Sequence, residues 1–122
     1  MGYAALALIA LLAPPVGRKV TLTLPHELRE GEMVWVNVKV GDIERGADVE
    51  IRTEAGELLG VVSPYAIRAR HPAGVYPLPV PATAISKNRV VLRLVLNDYQ
   101  RPKRAPTSKE VPEIRVRITT VP

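Results

Sequence analysis

Apolar and polar residues alternate along most of the chain after residue 17, and this period of two predicts strands rather than helices. In KVTLTLP, Val20, Leu22 and Leu24 fall on one face and Thr21 and Thr23 on the other, the signature of a half-buried opening strand. MVWVNVKV repeats the pattern with Val34, Val36, Val38 and Val40 against Met33, Trp35, Asn37 and Lys39. The valine face is the expected core face, which sets Trp35 on the outer side. ADVEIRT turns Ala47, Val49 and Ile51 inward and Asp48, Glu50 and Arg52 outward. EAG then supplies a turn, with Gly56 free to take a positive φ, and ELLGVVS returns as the second arm of a hairpin.

Further along, YAIRAR predicts a short strand with Tyr65, Ile67 and Ala69 opposed to Arg68 and Arg70. AGVYPLPVP carries Pro77, Pro79 and Pro81 at alternate positions; it can be extended but cannot donate at those sites, which confines it to a sheet edge or a polyproline II path. Tyr76, Leu78 and Val80 lie in the opposite phase and form a candidate edge-strand interface. RVVLRLVLN and EIRVRITT close the series, with Val90, Leu92, Leu94 and Leu96, then Ile114, Val116 and Ile118, facing inward. Between them runs the basic, proline-broken DYQRPKRAPTSKEVP.

About seven short strands with turns at close spacing predict an all-β antiparallel sandwich. The pattern resembles an immunoglobulin-like or fibronectin type III architecture, a likeness of architecture that no sequence motif carries. A small β-barrel of the oligonucleotide-binding kind is the alternative, since counting strands does not separate the two.

Composition sharpens this picture in three places. At 122 residues the chain is expected to hold one core, residues 18–122, preceded by a distinct segment, residues 1–17. Cysteine is absent, which excludes disulfides, thiolate metal sites and a cysteine nucleophile; phenylalanine is absent too, so the core must be aliphatic. The net charge of +5 is unevenly spread: residues 1–60 hold six basic and nine acidic side chains, residues 61–122 eleven and three. The positive half can draw a polyanion or an acidic protein, or pair with acidic groups of another copy.

GYAALALIALLAPP, Gly2 to Pro15, has no charged residue. As a helix, Gly2–Ala13 would cover about 18 Å, short of the roughly 30 Å of bilayer hydrocarbon. The apolar run suits a secretory signal peptide, although no Lys or Arg precedes it and Pro14 follows the Ala13 cut. The segment reads as an export leader or envelope anchor, with a packed first element or a strand donated to another copy as alternatives. Membrane contact is expected only through residues 1–13, if they are retained.

Chemistry is scarce. Ser63, Ser86 and Ser108 stand in no nucleophile motif, and His26 and His71 have no sequence-adjacent carboxylate partner of the catalytic kind. His26, His71 and Met33 are too scattered to suggest a copper site, so a small hydrolase or metal carrier is the most distant reading. Asp42, Glu44, Asp48 and Glu50 lack calcium-loop spacing and are expected to be a solvated strand face. No glycine pattern forms a phosphate cradle, and no catalytic residue, metal, cofactor or small-molecule substrate is expected. The one positive signal is YQRPKR: Tyr99, Arg101, Lys103 and Arg104, with Arg93, Arg115 and Arg117 on the flanking strands, unite cations with an aromatic ring. Those three arginines would share a face if their strands pair.

The sequence therefore predicts a non-enzymatic interaction or structural module, secreted or attached to the cell envelope, acting through sheet edges and a basic loop on a protein partner or on itself. A cytoplasmic domain binding nucleic acid or another polyanion is the alternative.

Overall fold

The computed structural model describes residues 16–65 and 74–120. Strands form where the alternation is strongest: β1 (Arg18–Thr23), β2 (Glu32–Val40), β3 (Asp48–Thr53), β4 (Leu58–Val62), β5 (Gly74–Val80), β6 (Ile85–Ser86), β7 (Arg89–Asn97) and β8 (Glu113–Thr120). A 3-10 turn, Ala82–Ala84, precedes β6, a two-residue strand that periodicity is too short to reveal. The strand expected over YAIRAR falls mostly outside the described residues, as do His71 and the segment before Val16.

All pairings are antiparallel and build two sheets. The large sheet runs β1-β7-β3-β4, with β6 added beside β7; the small sheet runs β5-β2-β8. No ladder joins the two sheets among the described residues, so the barrel alternative is corrected: each sheet keeps two edges of its own. The alternation on facing strands explains this, because each strand has one apolar face to bury and two stacked sheets bury both sets.

Between the sheets lies an aliphatic core. Val34, Val36, Val38 and Val40 of β2 face Val49 and Ile51 of β3 and Val90, Leu92, Leu94 and Leu96 of β7, all buried. Fully burying one such side chain contributes roughly 1.5–3 kcal/mol, well above the worth of an exposed ion pair, so this layer dominates stability. Leu24 and Ala47 close it at the ends, as their phase predicts.

Two connections are hairpins. Between β3 and β4, Gly56 takes a φ of 95°, its N–H donates to Thr53 O at 3.0 Å, and Thr53 N–H donates to Glu57 O at 2.8 Å. Lys87 and Asn88, with φ of 52° and 62°, make the tight turn from β6 to β7. Every other connection between successive strands crosses from one sheet to the other. As a result β1 lies beside β7 and β8 beside β2, and the two last long strands do not pair. The shared face expected for Arg93, Arg115 and Arg117 is therefore not formed: Arg93 projects from the large sheet and the other two from the small one.

Candidate interaction surfaces

The basic loop after β7 folds back over the outer face of the large sheet. Its start is pinned by side chains: Asn97 Oδ1 accepts the Tyr99 N–H at 2.9 Å, while Asp98 Oδ1 accepts those of Gln100 and Arg101 at 3.0 and 2.8 Å. These N–H groups, Arg101 first, hold the Asp98 carboxyl below its usual range. Farther on, Leu96 and Arg104 exchange two backbone hydrogen bonds, which lays the loop beside the end of β7.

Arg101, Lys103 and Arg104 then each meet a carboxylate. Arg101 bridges Asp98 at 2.8 Å and Glu44 at 2.6 Å. Lys103 reaches Glu50 at 2.9 Å, where Arg52 also binds at 2.9 Å. Arg104 grips Glu110 with a two-pronged pair at 2.7 and 2.8 Å, and Thr107 N–H adds a third bond at 2.8 Å. The Tyr99 hydroxyl donates to Asp48, a contact that raises its pKa. Glu50 is only 6% exposed; burial pushes its carboxyl up, but the hydrogen bonds from Lys103 and Arg52 outweigh that and leave it lowered. The Arg104 fork, working against burial, holds Glu110 down at about 2. A solvated acidic face is thus not what β3 presents: the loop covers it. Two ion pairs, Arg101–Glu44 and Lys103–Glu50, tie the basic second half of the chain to its acidic first half.

Arg93 lies on this same face, in a cleft of about 320 Å³ with Val16, Arg52 and Lys103. Arg115 and Arg117 belong to the opposite side of the sandwich, where the cross-strand register sets Trp35 between Pro79 and Arg117. The Trp35 Nε1–H donates to Thr119 Oγ1 at 2.9 Å, the Arg117 guanidinium stacks 5.5 Å from the ring centroid, and Arg117 Nε–H reaches Asn37 Oδ1 at 3.3 Å. Arg115 pairs along its own strand with Glu113 at 2.5 Å. Met33, 39% exposed, and Val75, 57% exposed, extend the apolar strip. The sequence does carry a sign of this surface: Trp35, the chain's one tryptophan, sits out of phase with the valines on either side.

The edges differ from one another. On β5, Tyr76, Leu78 and Val80 turn toward the core, and Val75, Pro77 and Pro79 are exposed. The prolines fit because β5 is paired on one side only, with β2; their nitrogens must point to the open side, so that edge offers carbonyls but lacks donors at 77 and 79. β1, β4 and β8 contain no proline and keep full sets of N–H and C=O groups on their outer edges.

Among the described residues, no cluster of three or more His, Asp or Glu side chains could hold a metal ion. His26 Nε2 lies 3.0 Å from Glu32, in the connector between β1 and β2. Comparison with protein families, with characterised proteins and with solved structures finds no match for this chain.

Proposed function

We propose that this chain is a non-enzymatic interaction or structural module of the cell envelope or exterior, acting through the edges of its sheets. The observation that supports it most is the contrast among those edges: β5 is proline-blocked, while β1, β4 and β8 retain the donors and acceptors that strand addition uses. The basic loop serves this module by covering the large sheet rather than as its binding surface, since Arg101, Lys103 and Arg104 are engaged in ion pairs. The apolar run Gly2–Ala13 supports the envelope location.

In finer detail the sandwich is read as immunoglobulin-like with its terminal strands exchanged. In the variable-type order, one sheet runs G-F-C-C′ and the other A-B-E. β7, β3 and β4 take the places of F, C and C′, and β2 and β5 those of B and E. The N-terminal β1 then occupies the place of G and the C-terminal β8 that of A.

Fractionation of native cells with sedimentation of the purified chain tests the proposal. Envelope or external recovery and reversible self-association or partner capture are expected; a cytoplasmic protein, monomeric and without a protein partner, overturns it. The polyanion reading draws support from the Arg117–Trp35 stack. Under it, single-stranded DNA binds with steep salt dependence, and Trp35→Ala with Arg117→Ala removes the binding. Alanine at Arg101, Lys103 and Arg104 together reports whether the loop contributes.

A further inference from the structure

We infer that β1 is an exchangeable strand, supplied to the β7 edge of a second copy of this chain in the register it adopts within one chain. The inference rests on the edge-acting reading above and names the donor and acceptor.

Topology is the first ground. β1 pairs along its whole length with β7, from Arg18 opposite Leu94 to Thr23 opposite Arg89, and has no hairpin partner among the described residues. Its further holds are Arg18, whose guanidinium donates to Val111 O at 3.0 Å, and Lys19, which pairs with Glu54 at 3.1 Å. None of these contacts depends on β1 and β7 belonging to the same chain.

Recognition in the slot is specific. Gly17 adopts a φ of 119°, and a Cβ there would stand 2.7 Å from Leu94 O and 2.8 Å from Arg93 Cγ, so the chain enters beside β7 only as glycine. Val20 and Leu22 then pack against the core, and buried Leu24 donates its N–H to Asn88 O at 3.0 Å. A slot left empty would expose the edge of β7, an apolar strand with unpaired N–H and C=O groups.

The connector Leu24–Gly31 supplies the hinge. Pro25 biases Leu24 toward extended backbone, so the chain tends to run on rather than fold back. Its bend is held by Leu28, half-buried against the core, and by a clasp: Glu32 accepts the Arg29 N–H at 2.7 Å, meets His26 Nε2 at 3.0 Å, and returns its own N–H to Arg29 O at 3.1 Å. Most of the connector is otherwise exposed. Opened, it spans about 25 Å, more than the roughly 10 Å between stacked sheets and enough to reach a neighbour. Exchange keeps every β1 contact and gives up the clasp, the packing of Leu28 and the freedom of the second copy.

The absence of cysteine makes the test clean. Thr21 and Val91 are register partners on the outer face of the large sheet. In a Thr21→Cys, Val91→Cys double variant a disulfide is expected, and its failure to form overturns the inference by showing the register to be wrong. The two single variants, differently tagged, are then refolded together and oxidised. A disulfide-linked species at twice the 13.3 kDa chain mass carrying both tags is expected, and Glu32→Gln in both chains should raise its yield several-fold by loosening the clasp. Mixed singles that associate in sedimentation yet stay unlinked overturn exchange while leaving edge association standing. Mixed singles that stay monomeric and unlinked overturn exchange and self-association together.

Discussion

The two outer faces of the sandwich are built from the same alternating pattern and end in opposite states. On the large sheet, outward Asp48 and Glu50 attract a loop about fifty residues downstream, and the face becomes a second, ionic layer. On the small sheet, outward Trp35 is half-buried with Arg117 laid over its ring, and Pro79 and Met33 beside it are exposed among the described residues. A dense run of cations is therefore a poor guide to a ligand surface when the chain carries matching carboxylates elsewhere.

The contrast can be broken most forcefully at Glu50. Glu50→Lys places a third cation beside Lys103 and Arg52 in a nearly closed position, and the expected loss is about 3 kcal/mol or more in a denaturant titration, with the loop newly open to protease. A loss under about 1 kcal/mol would mean that the covering loop does not depend on charge pairing.

Glu110→Gln comes next, at about 2 kcal/mol near neutral pH once the half-exposed Arg104 is allowed for. Here pH provides an independent check. The Glu110 carboxyl sits at about 2 in the fold against an ordinary 4.5, so its contribution is complete above about 4.5 and is lost as the pH falls through about 2. Wild type should lose stability over that window by an amount that the Gln variant does not.

Trp35→Ala on the bare face should cost about 1 kcal/mol, the worth of one hydrogen bond and a partly exposed stack, without opening the loop to protease. Smallest of all is Arg101→Ala. That side chain is 63% exposed, and its surface pairs should contribute under about 0.5 kcal/mol, with most of the effect gone in high salt. A larger effect than at Glu110 would reverse the ranking of the loop's anchors.

What was legible in the sequence is what one strand decides alone. The valine face of β2, the leucine face of β7 and the turn at Gly56 all follow from local period and glycine chemistry. Which strands become neighbours is decided by the stacking of the whole sandwich, and there the local reading stopped: Arg93 parted from Arg115 and Arg117. The closure over Glu50 was hidden for the same reason, since its partner Lys103 is distant in sequence and ordinary in local context. The outward placement of Trp35 was legible because it needs only the phase of its own strand.

Among the described residues neither β1 nor β8 pairs with the strand next to it in sequence, and this sets how the domain must fold in time. Lys19 pairs with Arg93 and Lys39 with Glu113, so both terminal ladders wait for the closure of loops that enclose most of the domain. Such long-range pairing belongs to the slow regime of milliseconds to seconds. During synthesis the small sheet stays incomplete until β8 has emerged, which leaves β2, the most apolar strand of that layer, without one of its two neighbours while the five strands between them are made.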